Sequence, residues 1–144
     1  MIQYPMQFRV KSTGTSGIQT PWETQAEAFE MKVPLAVPPE FGGPGSGLSP
    51  EDLYAFALAN CFVATFKVIA EKSKLEFSDL SAEGELTLDR NESGVPWMKA
   101  FHLKVSLTGA KDPERALRLL EKTSQSCMIL NSVKTEKTFE FIFK

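Results

Sequence analysis

The stretch that decides the fold runs from Ser49 to Ser73 and reads SPEDLYAFALANCFVATFKVIAEKS. Ser49 is a favoured helix N-cap, Pro50 fits the first helical position, and the two acidic residues that follow suit the positive end of the helix dipole. From Leu53 to Ala70 the only polar residues are Asn60, Thr65 and Lys67. The sequence therefore predicts a long helix over residues 49–73, and a helix this apolar is expected to be buried on all sides.

The composition of the chain is ordinary for a soluble globular protein. It has 144 residues, of which 42% are hydrophobic and 24% charged, and a formal net charge of −2. This length predicts a single domain over residues 1–144. The absence of a basic excess argues against a nucleic-acid partner.

No segment predicts a membrane span or a leader. The longest uninterrupted apolar run, Leu53–Ala59, is far shorter than the roughly 18–20 residues that cross a bilayer. The N-terminal residues MIQYPMQFRV do not show a basic segment followed by an apolar one, so we expect no signal peptide and a cytoplasmic location.

Apolar and polar residues alternate in the segments on either side of the helix, as they do in β-strands. We predict strands at residues 6–12, 26–33, 80–89, 98–109 and 137–144, a loop rich in proline and glycine at 34–48, a second helix from Asp112 to about residue 126, and a short helix that begins at Ser126 and Cys127. This order of elements predicts an α+β fold with antiparallel strands.

The chain contains two cysteines, Cys61 and Cys127, and one histidine, His102. Two cysteines are too few for a disulfide framework, and no Cys/His cluster has metal-ligand spacing, so we predict neither a metal nor a cofactor. A mechanism that needs histidine would have to use His102. Strand alternation puts His102 on a wet face, and we interpret it as a solvated side chain.

The two cysteines lie in different contexts. Cys61 falls in the middle of the long helix, where a thiol gains nothing from the helix dipole and is often a small buried hydrophobe. If Ser126 caps a helix, Cys127 lies in its first turn, where free N–H groups favour a thiolate. The cysteines are either packing residues or a redox pair, and only proximity in space can make them a pair.

Glu51 is a third candidate site residue, although it could equally be a plain helix-start residue. It precedes Cys61 by ten residues, or roughly 15 Å along a helix axis, and cannot reach that sulfur. If both serve one site, the helix must pack antiparallel against a second copy, with Glu51 of one chain near Cys61 of the other. All-round burial of the helix points the same way, so we predict a homodimer with its site at the interface.

Two motifs carry a resemblance to a known family. Residues 42–62, GGPGSGLSPEDLYAFALANCF, and residues 124–133, SQSCMILNSV, resemble the two cysteine motifs of the OsmC/Ohr family of osmotically inducible and organic-hydroperoxide-resistance proteins. The order of elements is similar over nearly the whole chain. The resemblance implies an OsmC-like fold in which antiparallel sheets pack on a long buried central helix, within an intertwined homodimer.

The resemblance also implies a thiol peroxidase. Cys61 would reduce an organic hydroperoxide and become a sulfenic acid, Cys127 would resolve it as a Cys61–Cys127 disulfide, and a dithiol reductant would restore both thiols. Glu51 corresponds to the family's glutamate, whose usual partner is an arginine that stabilises the thiolate.

The chain departs from the family pattern near both cysteines. Met128 and Leu130 stand where the family has proline and serine, and Arg9 is the only arginine before the long helix. Without a guanidinium partner, Glu51 would disfavour a nearby thiolate. Two other hypotheses therefore stay open: a non-catalytic dimer that binds a small apolar ligand or senses redox state, and a structural or partner-binding domain with inert cysteines.

Overall fold

The computed structural model describes every residue from Met1 to Lys144. The chain forms two compact units, Met1–Leu53 and Tyr54–Lys144, and each unit contains one three-stranded sheet. The single domain predicted over residues 1–144 stays a prediction.

The sheet of the first unit consists of β1 (Val10–Thr13), β2 (Trp22–Ala26) and β3 (Phe29–Leu35). Neighbouring strands are antiparallel. The sequence predicted only two strands here, at residues 6–12 and 26–33, and this is wrong because β2 was missed. The sequence of β2, WETQA, has almost no apolar alternation. The strand is held by its hydrogen-bonded pairing with β1 on one side and β3 on the other.

The loop predicted at residues 34–48 is present and is closed by backbone hydrogen bonds. The N–H of Leu48 donates to the carbonyl of Pro34 at 3.0 Å, and the N–H of Ala36 donates to the carbonyl of Leu48 at 3.0 Å. An added Cβ at Gly47 would lie 2.6 Å from the carbonyl oxygen of Pro34. Glycine is therefore required where the two ends of this loop meet.

The long helix α1 covers Pro50–Lys72, close to its predicted bounds. The Ser49 hydroxyl accepts a hydrogen bond from the Asp52 N–H at 3.0 Å, and the Ser49 N–H donates to the Asp52 carboxylate at 2.9 Å. Each residue thus satisfies a backbone donor that the helix leaves open, as in a capping box. The predicted N-cap is confirmed.

Within one chain, α1 is buried on one side only. Leu58, Phe62, Phe66 and Ala70 are buried, whereas Phe56 and Val68 on the other side are exposed. The burial on all sides that we predicted is therefore not reached by the single chain. By length and composition the 23 residues of α1 could cross a membrane, but their buried side packs in the core of the second unit, as the central helix of a folded domain does.

The sheet of the second unit consists of β4 (Asp79–Arg90), β5 (Pro96–Thr108) and β6 (Glu136–Phe143). The predicted antiparallel hairpin of β4 and β5 is confirmed, and its core residues Phe101, Leu103, Val105 and Leu107 are buried. Strand β6, however, pairs with β5 in parallel. The predicted antiparallel arrangement is wrong for this strand, because helix α2 (Pro113–Ser126) lies in the connection and returns the chain to the same end of the sheet.

The short helix predicted to begin at Ser126 and Cys127 is not formed there. Helix α2 continues to Ser126, and Cys127 is its C-cap, whose N–H donates to the carbonyl of Thr123 at 3.0 Å. The Ser126 hydroxyl donates to the Lys122 carbonyl at 2.8 Å, so this serine belongs to the last turn of α2 and caps no new helix. A single 3-10 turn follows at Leu130–Ser132.

Candidate active site

Cys61 and Cys127 form a disulfide within the second unit. Their Cα atoms lie 6.2 Å apart, although 66 residues separate them in the sequence. This Cα separation is within the usual range for disulfides. The fold therefore brings together the two thiols that sequence analysis singled out.

The two cysteines differ in exposure. Cys127 is completely buried in the hydrophobic core, whereas Cys61 is partly exposed at the edge of that core. The next residue along α1, Phe62, stacks on Phe139 and Phe141 with ring centroids 5.8 and 6.1 Å away. Because Phe62 points at the sheet, the preceding residue is turned toward the flank of the helix, and Cys61 is the cysteine that solvent can approach.

Two links fix how α1 and α2 face each other. The Arg115 guanidinium donates to the carbonyl of Ser73, and the disulfide joins Cys61 to Cys127. The two linked positions are twelve residues apart on each side, from Cys61 to Ser73 and from Arg115 to Cys127. The helices therefore run antiparallel, and the C-terminal end of α2 lies beside the middle of α1.

A third link holds the first turns of α1. The hydroxyl groups of Tyr54 and Thr135 are 2.6 Å apart, and Thr135 is buried. Tyr54 precedes Cys61 by seven residues, two helical turns, and so shares its face of α1. The segment between Cys127 and β6 is thereby tied to α1 on the face that carries Cys61.

The backbone at Cys127 is held by Asn131, a residue that sequence analysis missed. Its side-chain amide donates to the carbonyl of Cys127 at 2.7 Å and to that of Gln125 at 3.2 Å. These carbonyls belong to the open end of α2. An asparagine within a few residues of a helix end was the only sequence signal for this contact.

The position of Cys127 at the end of α2 reverses one sequence-based expectation. A helix start favours a thiolate, but Cys127 lies at the C-terminal end, where the dipole is negative and disfavours one. Burial in apolar surroundings acts in the same direction. Of the two cysteines, Cys127 is therefore the one better suited to remain a thiol.

Cys61 has one polar side chain beside its sulfur. The Thr65 hydroxyl lies 3.9 Å from the Cys61 Sγ, one helical turn further along α1. Sequence analysis noted Thr65 only as one of the few polar residues in this helix.

Glu51 lies on the first turn of α1, where its negative charge was expected. Its Oε2 atom is buried and has no hydrogen-bond partner, which is uncommon for a buried polar atom. Arg9 is engaged elsewhere, since its guanidinium donates to Gln7 at 2.7 Å and lies 3.8 Å from the Glu27 carboxylate. The chain thus presents the glutamate without an arginine partner.

His102 is exposed on the outer face of the second sheet, as predicted. Its Nδ1 lies 2.7 Å from the Thr138 hydroxyl, and its Nε2 lies 3.6 Å from the Glu140 carboxylate. The next residue, Leu103, points into the core, so His102 is on the face of β5 that looks away from the disulfide. No group of three or more His, Cys, Asp or Glu side chains is placed to hold a metal ion.

Comparison with known proteins identifies the family. A sequence model of the OsmC-like protein family matches residues 43–141, well over half of the chain. The chain belongs to the OsmC-like family. The resemblance drawn from the two cysteine motifs is thereby confirmed.

Two relatives and one solved structure show how far this chain has diverged in sequence. YmaD of Bacillus subtilis is 27% identical over 111 residues, which is 74% of each chain. An organic hydroperoxide resistance protein of Xanthomonas axonopodis pv. citri is 26% identical over 129 residues, covering 88% of this chain and 87% of the relative. An OsmC-like protein from Vibrio cholerae, VCA0330, has a TM-score of 0.84 at 17% identity, covering 96% of this chain and all of that one. The predicted OsmC-like α+β fold is confirmed.

Proposed function

We propose that this protein is a cysteine-based peroxidase that reduces organic hydroperoxides. The observation that carries the proposal is the disulfide between a partly exposed cysteine on the central helix and a buried cysteine at the end of α2. A relative that covers most of the chain is named an organic hydroperoxide resistance protein, which supports the substrate class. Cysteines that served only to fill the core would not have to lie within bonding distance of each other.

The proposed reaction uses both sulfurs in turn. The Cys61 thiolate attacks the terminal oxygen of the hydroperoxide, the O–O bond breaks, and the departing alkoxide takes a proton from water to become an alcohol. Cys61 is now a sulfenic acid. The Cys127 sulfur attacks it, water leaves, and the disulfide forms. A dithiol reductant then restores both thiols by two exchange steps and is itself oxidised to a disulfide.

The surroundings of Cys61 suit an apolar substrate. Ala57, Ala64 and Val68 are exposed and lie at helical spacings that place them on the same flank of α1 as Cys61. This flank, residues 57, 61, 64 and 68, offers small apolar side chains on either side of the sulfur. We propose that this flank binds the organic group of the hydroperoxide, because contact between two apolar surfaces removes both from water.

We further propose that the active form is a homodimer. Monomeric proteins rarely expose large contiguous apolar patches, yet in the first unit Phe8, Val10 and Phe29 are 85%, 75% and 69% exposed. On α1 the side chain of Phe56 is also 50% exposed, and the buried Oε2 atom of Glu51 has no hydrogen-bond partner within the chain. A second copy would cover the apolar surfaces, and its Glu51 would complete the site at Cys61.

A turnover assay tests this function. The reduced protein is mixed with cumene hydroperoxide and dithiothreitol, and peroxide consumption is measured. We expect turnover by the wild-type protein and none by Cys61→Ser. Equal consumption by the two proteins would exclude the peroxidase. An apolar ligand found by native mass spectrometry, without any turnover, would favour the ligand-binding dimer instead.

The homodimer has its own measurement. Sedimentation equilibrium should give twice the 16.0 kDa mass of one chain. A mass of one chain at micromolar concentration would overturn the proposed dimer.

A further inference from the structure

Thr65 places a side-chain hydroxyl beside the sulfur of Cys61. It is partly buried on α1, and its hydroxyl oxygen lies 3.9 Å from the Cys61 Sγ. The other two polar residues of the apolar stretch are exposed, and the side chain of one of them, Asn60, donates to the Phe56 carbonyl at 2.9 Å. Thr65 is therefore the one polar residue of this stretch that points at the reactive sulfur.

The direction of this contact is fixed by chemistry. A disulfide sulfur carries no hydrogen, so in the oxidised protein only the Thr65 hydroxyl can donate. A helical threonine commonly donates to the carbonyl four residues earlier, as Thr123 does to Leu119 at 2.7 Å. For Thr65 the equivalent residue is Cys61, and there the hydroxyl faces the side-chain sulfur.

Cys61 gains no thiolate stabilisation from its place on the helix. It lies in the middle of α1, where the helix dipole offers no stabilisation to a thiolate. Arg9, the only arginine that precedes α1, is held by Gln7 and Glu27. A hydrogen bond from the Thr65 hydroxyl to this sulfur becomes stronger when the sulfur is an anion.

We propose that Thr65 is the hydrogen-bond donor that stabilises and orients the Cys61 thiolate. The inference rests on the proposed peroxidase, in which that thiolate attacks the hydroperoxide. Loss of the hydroxyl removes one hydrogen bond to a charged group, which corresponds to a rise of about one unit in the pKa of the Cys61 thiol. At a pH below the pKa values of both proteins, the thiolate population then falls about tenfold, whereas each remaining thiolate is more basic and reacts about threefold faster.

The experiment measures the Cys61 pKa directly, without peroxide. In a Cys127→Ser background only Cys61 can be alkylated, and its rate of reaction with iodoacetamide is followed as a function of pH. Thr65→Val removes the hydroxyl and keeps the shape of the side chain, whereas Thr65→Ser keeps the donor. We expect the pKa to rise by about one unit in Thr65→Val and to stay within a few tenths in Thr65→Ser.

Further controls make the result decisive. Thr65→Ala is a second donor-free variant and should match Thr65→Val, which separates loss of the donor from a packing defect. Unchanged pKa values in both donor-free variants would overturn the role of Thr65. Equal rises in the serine and valine variants would overturn it too, because the donor would then be irrelevant.

Failure of this inference is distinguishable from failure of the peroxidase. A raised pKa in Thr65→Val together with no peroxide turnover by the wild-type protein would reject the peroxidase and retain Thr65 as the thiolate donor. Peroxide turnover by the wild-type protein, together with the same Cys61 pKa with and without Thr65→Val, would retain the peroxidase and reject Thr65 as the thiolate donor. If both hold, Thr65→Val in the otherwise unchanged protein should react with cumene hydroperoxide about threefold more slowly at a pH below both measured Cys61 pKa values.

Discussion

The hydroxyl groups of Tyr54 and Thr135 lie 2.6 Å apart and join the helix that carries Cys61 to the segment that follows Cys127. Thr135 is only 2% exposed, so neither water nor another side chain readily replaces Tyr54 as its partner. The bond lies on the same face of α1 as the disulfide, two turns before it. The contact between α1 and the segment that follows Cys127 therefore does not depend on the disulfide alone.

Tyr54→Phe tests this anchor. The variant leaves the Thr135 hydroxyl buried without a partner, which is expected to lower the free energy of unfolding by about 1–3 kcal/mol. Urea unfolding followed by circular dichroism gives the value. The matched control combines Tyr54→Phe with Thr135→Val, which removes both polar groups and should recover part of the loss. If the double variant is destabilised by the full sum of the two single variants, the bond does not couple these residues.

The disulfide itself should stabilise the fold. It closes a loop of 66 residues, and the chain-entropy model gives such a cross-link about 4 kcal/mol. The free energy of unfolding at a given urea concentration should therefore be higher without dithiothreitol than with it, by up to about 4 kcal/mol. Cys127→Ser serves as the control, because reductant should leave its unfolding curve unchanged. A wild-type curve equally insensitive to reductant would contradict a disulfide in the folded protein.

The elements that sequence analysis predicted well are those with a strong local signal. The Ser49 cap and the apolar run that follows define α1, and the alternation in β4 and β5 defines the hairpin. Phe101 and Leu103 are buried while His102 between them is exposed, as a period of two requires. In the hairpin the observed burial follows directly from the alternation of apolar and polar residues, whereas in α1 the sequence predicted the helix and its cap but not which side is buried within one chain.

The errors arose where tertiary contacts decide the structure. Strand β2 carries little apolar alternation and is held by pairing with both neighbours. Serine suits an N-cap, but the Ser126 hydroxyl donates to the carbonyl of Lys122, and α2 continues to Ser126. The direction of β6 depends on how α2 returns the chain. The cysteines could be singled out from the sequence, but their contact required antiparallel α1 and α2, which the residues alone did not dictate.

The intermediate of the proposed reaction can be trapped. Without Cys127 the sulfenic acid of Cys61 has no resolving thiol, and it should persist after one equivalent of hydroperoxide. We expect Cys127→Ser to form a dimedone adduct on Cys61, detected by peptide mass spectrometry, while the wild-type protein forms the disulfide instead. Cys61→Ser is the matched control and should give no adduct. An adduct on Cys127 in that control would exchange the roles of the two cysteines.

A surface ion pair gives the chain a measurable pH dependence. The hydrogen bond from Lys111, and then its charge, hold the pKa of the Glu76 carboxyl below its usual value. Because this pKa is lower in the folded chain, the pair stabilises the fold above the unfolded pKa, and this contribution is lost as the pH falls through the folded pKa. Both side chains are largely exposed, so the effect is small and weakens with added salt.

Lys111→Gln checks this pair. The Glu76 pKa, followed by carbon-detected NMR titration, should rise toward its usual value in this variant. Asp89 is the internal control, since its pKa is lowered by the backbone N–H of Arg90 and then by Lys99 and should not change. A Glu76 pKa that stays low after the substitution would show that Lys111 is not its cause.

The most demanding prediction concerns a site shared between two chains. If Glu51 of one chain completes the site at Cys61 of the other, Glu51→Gln and Cys61→Ser homodimers should each be impaired for different reasons. A mixed dimer then contains one intact site, made from the Glu51 of the Cys61→Ser chain and the Cys61 of the Glu51→Gln chain. Unfolding and refolding an equal mixture should give about a quarter of the wild-type site number, because random pairing yields half mixed dimers with one intact site of two. Peroxide turnover no higher than the average of the two variants would mean that each chain builds its site alone, and Glu51 would then act only at the start of its own helix.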